Sequence, residues 1–271
     1  MQSFFAEAGG LEVWKAAVLG IVQGITEFLP VSSSGHLLLF ERLLGAETGG
    51  ADMFLGIMLH AGTLFAVCAA CFPALLRLLR DKKRLLYLVL ASVPAALVGF
   101  LLRGAVDDAF FGGDLLWAAF ALTALLLAVC SARIGRGYAP RLLNAPRALG
   151  VGCAQALAVI PGLSRSGTTL AAGVFLGLKR EEAAEFSLLM SVPVIAGAVL
   201  AEALGLVLGG TQAASVGWGS LAAGTLCAFA FGLVSVKLIL RVMARGSLMP
   251  FAVYLIVLAA ALLGARAVFG A

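Results

Sequence analysis

The stretch Gln23-Gly-Ile-Thr-Glu-Phe-Leu-Pro-Val-Ser-Ser-Ser-Gly-His36 sets an acid, four hydroxyls, a proline and an imidazole inside an otherwise apolar chain. A second stretch, Gln155-Ala-Leu-Ala-Val-Ile-Pro-Gly-Leu-Ser-Arg-Ser-Gly-Thr-Thr169, repeats the pattern. Shifting the numbering by 132 places Gln155 on Gln23, Ser164 on Ser32, Ser166 on Ser34 and Gly167 on Gly35. Polar groups in an apolar setting are costly unless paired or wetted, so two matched polar segments mark a working site. Apolar matches at the same offset, such as Phe54 with Phe186, are cheap in this composition. A matched Gln and Ser-x-Ser-Gly are not.

Hydrophobic residues make up 62% of the chain and charged residues 12%, with a mean hydropathy of +1.07. A soluble domain carries roughly a quarter charged residues, so this is an all-α polytopic membrane protein. Two units of the repeat account for nearly all 271 residues. The economical reading is one membrane domain over residues 1–271, with repeats at about 11–132 and 147–265. The net charge of +5 is no sign of nucleic-acid binding, because the basic residues cluster between apolar runs and report membrane orientation. Glu7 and Glu12 precede the first apolar run with no basic segment before it, unlike a removable signal peptide. The cysteines Cys68, Cys71, Cys130, Cys153 and Cys227 lie in apolar segments and read as packing residues.

Six segments are apolar and long enough to span, near 53–76, 85–102, 115–132, 186–208, 219–240 and 249–265. Residues 77–84 carry Arg77, Arg80, Lys82, Lys83 and Arg84 against Asp81, and 133–147 carry Arg133, Arg136, Arg141 and Arg147, so both belong in the cytoplasm. Lys237, Arg241 and Arg245 put the link before the last span inside. Arg103, Asp107, Asp108 and Asp114 fit outside. The stretch 148–178 must then enter and leave on one face, as a re-entrant hairpin broken near Pro161-Gly162. Three spans separate the repeats, so 16–46 dips in from the opposite face. The expected architecture is two inverted-topology repeats, with about six full spans and two re-entrant helical hairpins whose tips meet near the midplane.

Gln23 and Glu27 share one helix face. They form a structural pair, or Glu27 accepts a proton or binds a hard cation such as Mg2+ or Ca2+. His36 follows Ser34-Gly35 and suits proton transfer near neutrality, whereas His60, in mid-span, reads as structural. Arg165 needs an anion at depth: a phosphate, whose oxygens match its fork of donors, or Glu27 of the other repeat. Ser164, Ser166, Thr168 and Thr169 add donors, and a helix starting near Gly167 aims its N-terminus at the same anion. Glu181, Glu182 and Glu185 read as acids heading a helix.

Together, Gln23 to Glu27, Phe28 to His36 and Pro161 to Thr169 resemble the motifs of the bacterial undecaprenyl-diphosphate phosphatases of the bacitracin-resistance type. The likeness extends over essentially the whole chain, including Glu185-Phe186-Ser187 and Pro250-Phe251-Ala252-Val253-Tyr254. It implies a multi-pass hydrolase of the bacterial inner membrane that converts undecaprenyl diphosphate to the monophosphate. That activity would recycle the carrier lipid for peptidoglycan synthesis and lower bacitracin sensitivity. It further implies a divalent cation, an active site open to the outer face, and catalytic roles for Glu27, Ser33, His36 and Arg165. Many relatives have Glu where this chain has Gln23, which leaves a metal pair of Glu27 and the Gln23 carbonyl oxygen.

The expected mechanism places the diphosphate between the tips, lined by Gln23, Ser32, Ser34, Gly162, Ser164, Ser166, Thr168 and Thr169. Ser33 activated by His36 is the first-choice nucleophile, and a phosphorylated His36 or direct attack by water stays open. The rival is an inverted-repeat carrier or flippase for a polyprenyl phosphate or small anion. Both readings need Arg165, and only the enzyme needs Glu27 and His36. The partners expected are the lipid substrate and membrane lipids, and the sequence leaves a homodimer open.

Overall fold

Proline, glycine and serine decide where this chain leaves the helix. The computed structural model describes residues 11–46, 51–101, 115–209, 216–245 and 247–269, and its eleven helices are the only regular structure among them. Helix α1 (Val13–Phe28) ends before Pro30, and α2 (Ser33–Leu44) closes on Gly45 in the left-handed conformation. Helix α3 (Ala51–Ala70) breaks at Cys71 into α4 (Phe72–Arg80), followed by α5 (Lys82–Leu101) and α6 (Leu116–Arg136). Helix α7 (Ala145–Leu157) starts with Asn144 accepting from the Arg147 amide at 3.1 Å. Helix α8 (Arg165–Phe175) follows the Pro161-Gly162 turn, and α9 (Arg180–Gly209), α10 (Trp218–Arg245) and α11 (Met249–Phe269) complete the chain.

Five of these helices, α5, α6, α9, α10 and α11, are long and apolar enough to cross a membrane. They cover the five later spans read from the sequence to within a residue at each end. The first expected span, 53–76, is not one straight helix: the axis turns by 73° between α3 and α4. Pro73 is the reason, since it has no N–H for the carbonyl four residues back and its ring would clash there, yet it suits the first turn of a new helix. The acids at the head of α9 also do more than cap it. Glu185 pairs with Arg77 at 3.3 Å and with Arg84 at 3.7 Å, and Glu182 pairs with Arg84 at 3.6 Å. Part of the basic stretch 77–84 is thereby tied to α9. Glu7 and the expected outer loop with Arg103, Asp107, Asp108 and Asp114 lie outside the described residues.

Helices α1 and α2 pack as one hairpin, and α7 and α8 as another. The starts of α1 and α7, at Val13 and Ala145, differ by the sequence offset of 132, as do those of α2 and α8. The packing is exchanged between the halves: α1 lies chiefly against α10, and α7 against α5. Both contacts are close because glycine makes them so. A Cβ on Gly20 would stand 2.2 Å from the Gly224 carbonyl oxygen, and one on Gly152 would stand 2.3 Å from that of Ala91. Around the hairpins the core is filled by Phe28, Phe120, Leu127, Leu170, Met190, Ile239 and Leu255, all at most 2% exposed.

Candidate active site

The two hairpin turns are held by their own side chains. In the first, Ser32 sits at φ 72°, the only positive φ outside glycine among the described residues, a region disfavoured for L side chains. Its carbonyl accepts from the ring Nδ1–H of His36 at 2.7 Å, and its hydroxyl oxygen accepts from the Gly35 amide at 3.4 Å. In the second, Gly162 turns the chain at φ 86°, where a side chain would be strained. Ser164 then caps α8 by accepting from the Gly167 amide at 3.1 Å, while its own N–H donates to the Thr123 hydroxyl of α6 at 3.2 Å.

The tips interlock. The Gly162 amide donates to Ser34 Oγ at 3.3 Å, and Ser166 Oγ donates to the Leu29 carbonyl at 2.9 Å. Between them Arg165, on the first turn of α8, forms an ion pair with Oε1 of Glu27, on the last turn of α1. Oε2 of the same carboxylate accepts from Ser33 Oγ at 2.6 Å and from Gln23 Nε2 at 3.1 Å. The Glu27 side chain is 6% exposed and that of Arg165 15%, so both are largely withdrawn from solvent and the acid the more so. A buried charge pair of this kind holds its geometry because either partner alone would be a desolvated, unpaired charge.

Gln23, Glu27, Ser33 and Arg165 are thus one cluster, with Ser32, Ser34, Gly162, Ser164 and Ser166 as the interlocked wall behind it. Thr168 and Thr169 are turned into their own helix. Thr168 donates to the Ser164 carbonyl at 2.8 Å and Thr169 to that of Arg165 at 2.9 Å, with Ser187 on α9 2.6 Å from the Thr169 hydroxyl. The expected Ser33–His36 hydrogen bond is not formed. The carbonyl of Ser32 can only accept, so the His36 proton is on Nδ1, and Nε2 takes the Tyr254 O–H at 2.7 Å. The His36 ring stacks on Tyr254 at 5.7 Å between centroids and lies 5.3 Å from Phe120. His60 is bonded through Nδ1 to the Gly56 carbonyl at 2.9 Å, as a structural histidine would be.

Reading residues one at a time misses Tyr254 and Thr123. Tyr254 stands in the closing Pro250–Tyr254 stretch that takes part in the family likeness, but which face of α11 meets His36 is set by packing on α6. Thr123 gives no signal in the sequence at all.

Among the described residues no group of three His, Cys, Asp or Glu side chains could hold a metal ion. The oxygen donors here suit a hard cation only as Glu27 plus Gln23 Oε1, which is buried and without a hydrogen-bond partner. Mg2+ is commonly held in this way, by one or two protein oxygens with phosphate and water completing the shell.

An apolar helix bundle that carries a buried acid–arginine pair and serine hydroxyls at two meeting hairpin tips is an integral-membrane protein with a polar cluster in its interior. The family model described as bacitracin resistance protein BacA matches residues 16–261, and the chain belongs to that family. It is 41% identical to an undecaprenyl-diphosphatase of Rubrobacter xylanophilus, over 92% of this chain and 97% of the relative. It is 36% identical to one of Geotalea daltonii, over 90% and 94%, and 34% identical to one of Korarchaeum cryptofilum, over 93% and 99%.

Proposed function

We propose that this protein hydrolyses undecaprenyl diphosphate to undecaprenyl phosphate and inorganic phosphate, recycling the carrier lipid for peptidoglycan synthesis and conferring bacitracin resistance. Family membership and relatives of that name, matched over nine-tenths of both chains, support the substrate. The observation that carries the chemistry is the Glu27 carboxylate, shared between Arg165 of the other hairpin and the hydroxyl of Ser33.

The diphosphate enters between the tips, and its oxygens compete with Glu27 for Arg165, which neutralises them and the charge growing on the leaving group. Glu27 Oε2 already accepts the Ser33 O–H. The carboxylate takes that proton as Ser33 Oγ forms its bond to the terminal phosphorus and the bond to the bridging oxygen breaks. Undecaprenyl phosphate leaves, and water hydrolyses the serine phosphoester to inorganic phosphate. His36 acts from behind, fixing the Ser32 carbonyl and with it the direction of Ser33. A divalent cation, Mg2+ or Ca2+, held by Glu27 and Gln23 Oε1 would add charge neutralisation at the diphosphate.

The protein sits in the cell inner membrane, with 77–84 and 133–147 cytoplasmic by their positive charge and the site open to the outer face. The common helix offset and the exchanged packing support two inverted repeats. That same exchange also suits an alternating-access carrier of a polyprenyl phosphate. The deciding experiment is phosphate release from undecaprenyl diphosphate by purified protein, with Mg2+ and with EDTA, beside Arg165→Ala and Ser33→Ala. Release that stops in both variants supports the hydrolase, and a folded protein that binds the lipid without releasing phosphate is the carrier.

A further inference from the structure

Helix α4 stands apart from the spans. It is only nine residues long, Phe72–Arg80, and leaves α3 at 73°. Its surface divides into three faces. Ala74 and Leu78 are buried against the protein, whereas Phe72, Leu76 and Leu79 are 58%, 41% and 67% exposed and fall on one apolar stripe. Arg77 and Arg80 lie between these two faces, on the flank away from the apolar stripe's centre. A helix with one face on the protein, one exposed and apolar, and one cationic has the pattern of an element lying in a membrane interface rather than crossing the bilayer.

The charge continues past its end. Among the described residues, Arg77 and Arg84 are taken up by Glu182 and Glu185, whereas Arg80, Lys82 and Lys83 are exposed and form no salt bridge. Three unpaired cations therefore stand beside an apolar stripe at the junction of α4 and α5. Unpaired juxtamembrane lysine and arginine attract acidic headgroups within a Debye length of the surface.

We propose that α4 and the start of α5 form a binding surface for anionic phospholipid. Phe72, Leu76 and Leu79 insert among the acyl chains, and Arg80, Lys82 and Lys83 hold the phosphate headgroups of the cytoplasmic leaflet. The Glu182 and Glu185 pairs with Arg77 and Arg84 fix the surface to α9, so that its cations face lipid and not the protein's own acids. The surface is separate from the hairpin tips and uses none of their residues.

The test places the full-length Phe72→Trp variant in nanodiscs of neutral phosphatidylcholine containing a small fraction of brominated lipid, either phosphatidylglycerol or phosphatidylcholine. Quenching of the added fluorescence, after subtraction of the wild-type signal, reports which headgroup gathers at α4. Enrichment on the order of fivefold is expected for each cation near the surface, so brominated phosphatidylglycerol should quench at least about twofold more strongly. High salt should erase that preference. The preference should also vanish when Arg80→Gln, Lys82→Gln and Lys83→Gln are combined, all three being exposed positions outside the site. Equal quenching by the two lipids, or a preference that survives the triple substitution, overturns the proposal. Unchanged phosphate release by the triple variant in neutral detergent shows that it is folded.

Discussion

His36 and Tyr254, 218 positions apart, face each other at 2.7 Å between ring nitrogen and phenol oxygen, with their rings stacked. The last helix thus reaches the first hairpin through a polar contact. Removing the hydroxyl in Tyr254→Phe keeps the stack and leaves a buried acceptor unmet. The expected cost is about 1–3 kcal/mol, read as a lowered Tm in detergent, with phosphate release reduced but not abolished. His36→Ala should lose more, because the Ser32 carbonyl then keeps only the backbone N–H of residue 36 at 3.3 Å and loses the ring donor at 2.7 Å.

Arg165 and Glu27 form a desolvated pair, so each single removal strands a charge. Arg165→Ala should destabilise by about 3–5 kcal/mol and lower kcat/KM by about 100-fold or more. Combining Glu27→Gln with Arg165→Gln should recover much of the stability and none of the activity. A double variant no more stable than Arg165→Ala alone would show that the pair is not what holds the tips.

Ser33 tests the nucleophile. Ser33→Ala should leave the unfolding midpoint within about 1 kcal/mol of the parent while turnover drops about a thousandfold or more. Acid quenching of the parent with labelled diphosphate should trap phosphoserine at Ser33. Label on His36, or none on the protein, would transfer the attack to the imidazole or to water.

Gly20 and Gly152 test the exchanged packing. A methyl group at either position meets a backbone carbonyl that cannot rotate away, so each alanine variant should lose about 1–3 kcal/mol or more. Gly56 has nothing within 4 Å of its would-be Cβ, and Gly56→Ala should be neutral or stabilising by about 1 kcal/mol. Comparable losses at Gly20 and Gly152 would show that the two halves rely on equivalent contacts.

Gln23→Glu would place a second carboxylate beside Glu27. It should strengthen the dependence of Tm on added Mg2+, measured on the protein without substrate. A Tm indifferent to Mg2+ in both proteins would move the cation, if one is used, to the substrate phosphates alone.

The hairpins were legible because Pro30, Pro161, Gly162 and the Ser-x-Ser-Gly caps act locally: each break follows from the residues at the break. The meeting of Glu27 with Arg165 was legible as one of two partners for a guanidinium at depth. What the sequence did not carry is direction. Whether Ser33 points to Glu27 or to His36 goes with the positive φ of Ser32, whose carbonyl accepts from the His36 ring. The bend at Cys71 had its signal in Pro73, but an apolar run with a proline near its end reads equally as a continuous span. Tyr254 stood only at the end of the closing Pro250–Tyr254 stretch, and the apolar helix that carries it gave no sign of which face would meet His36.

The exchanged packing also sets partners far apart in the order in which the chain is made. Helix α1 emerges first, yet its main neighbour, α10, begins more than two hundred residues later, and the cation that answers Glu27 lies on α8. Until both have entered the membrane, the first hairpin has an unanswered acid and a glycine-lined groove with nothing in it. The N-terminal half therefore cannot complete its packing until most of the chain is made, and a chain truncated before α10 should not fold into half an enzyme.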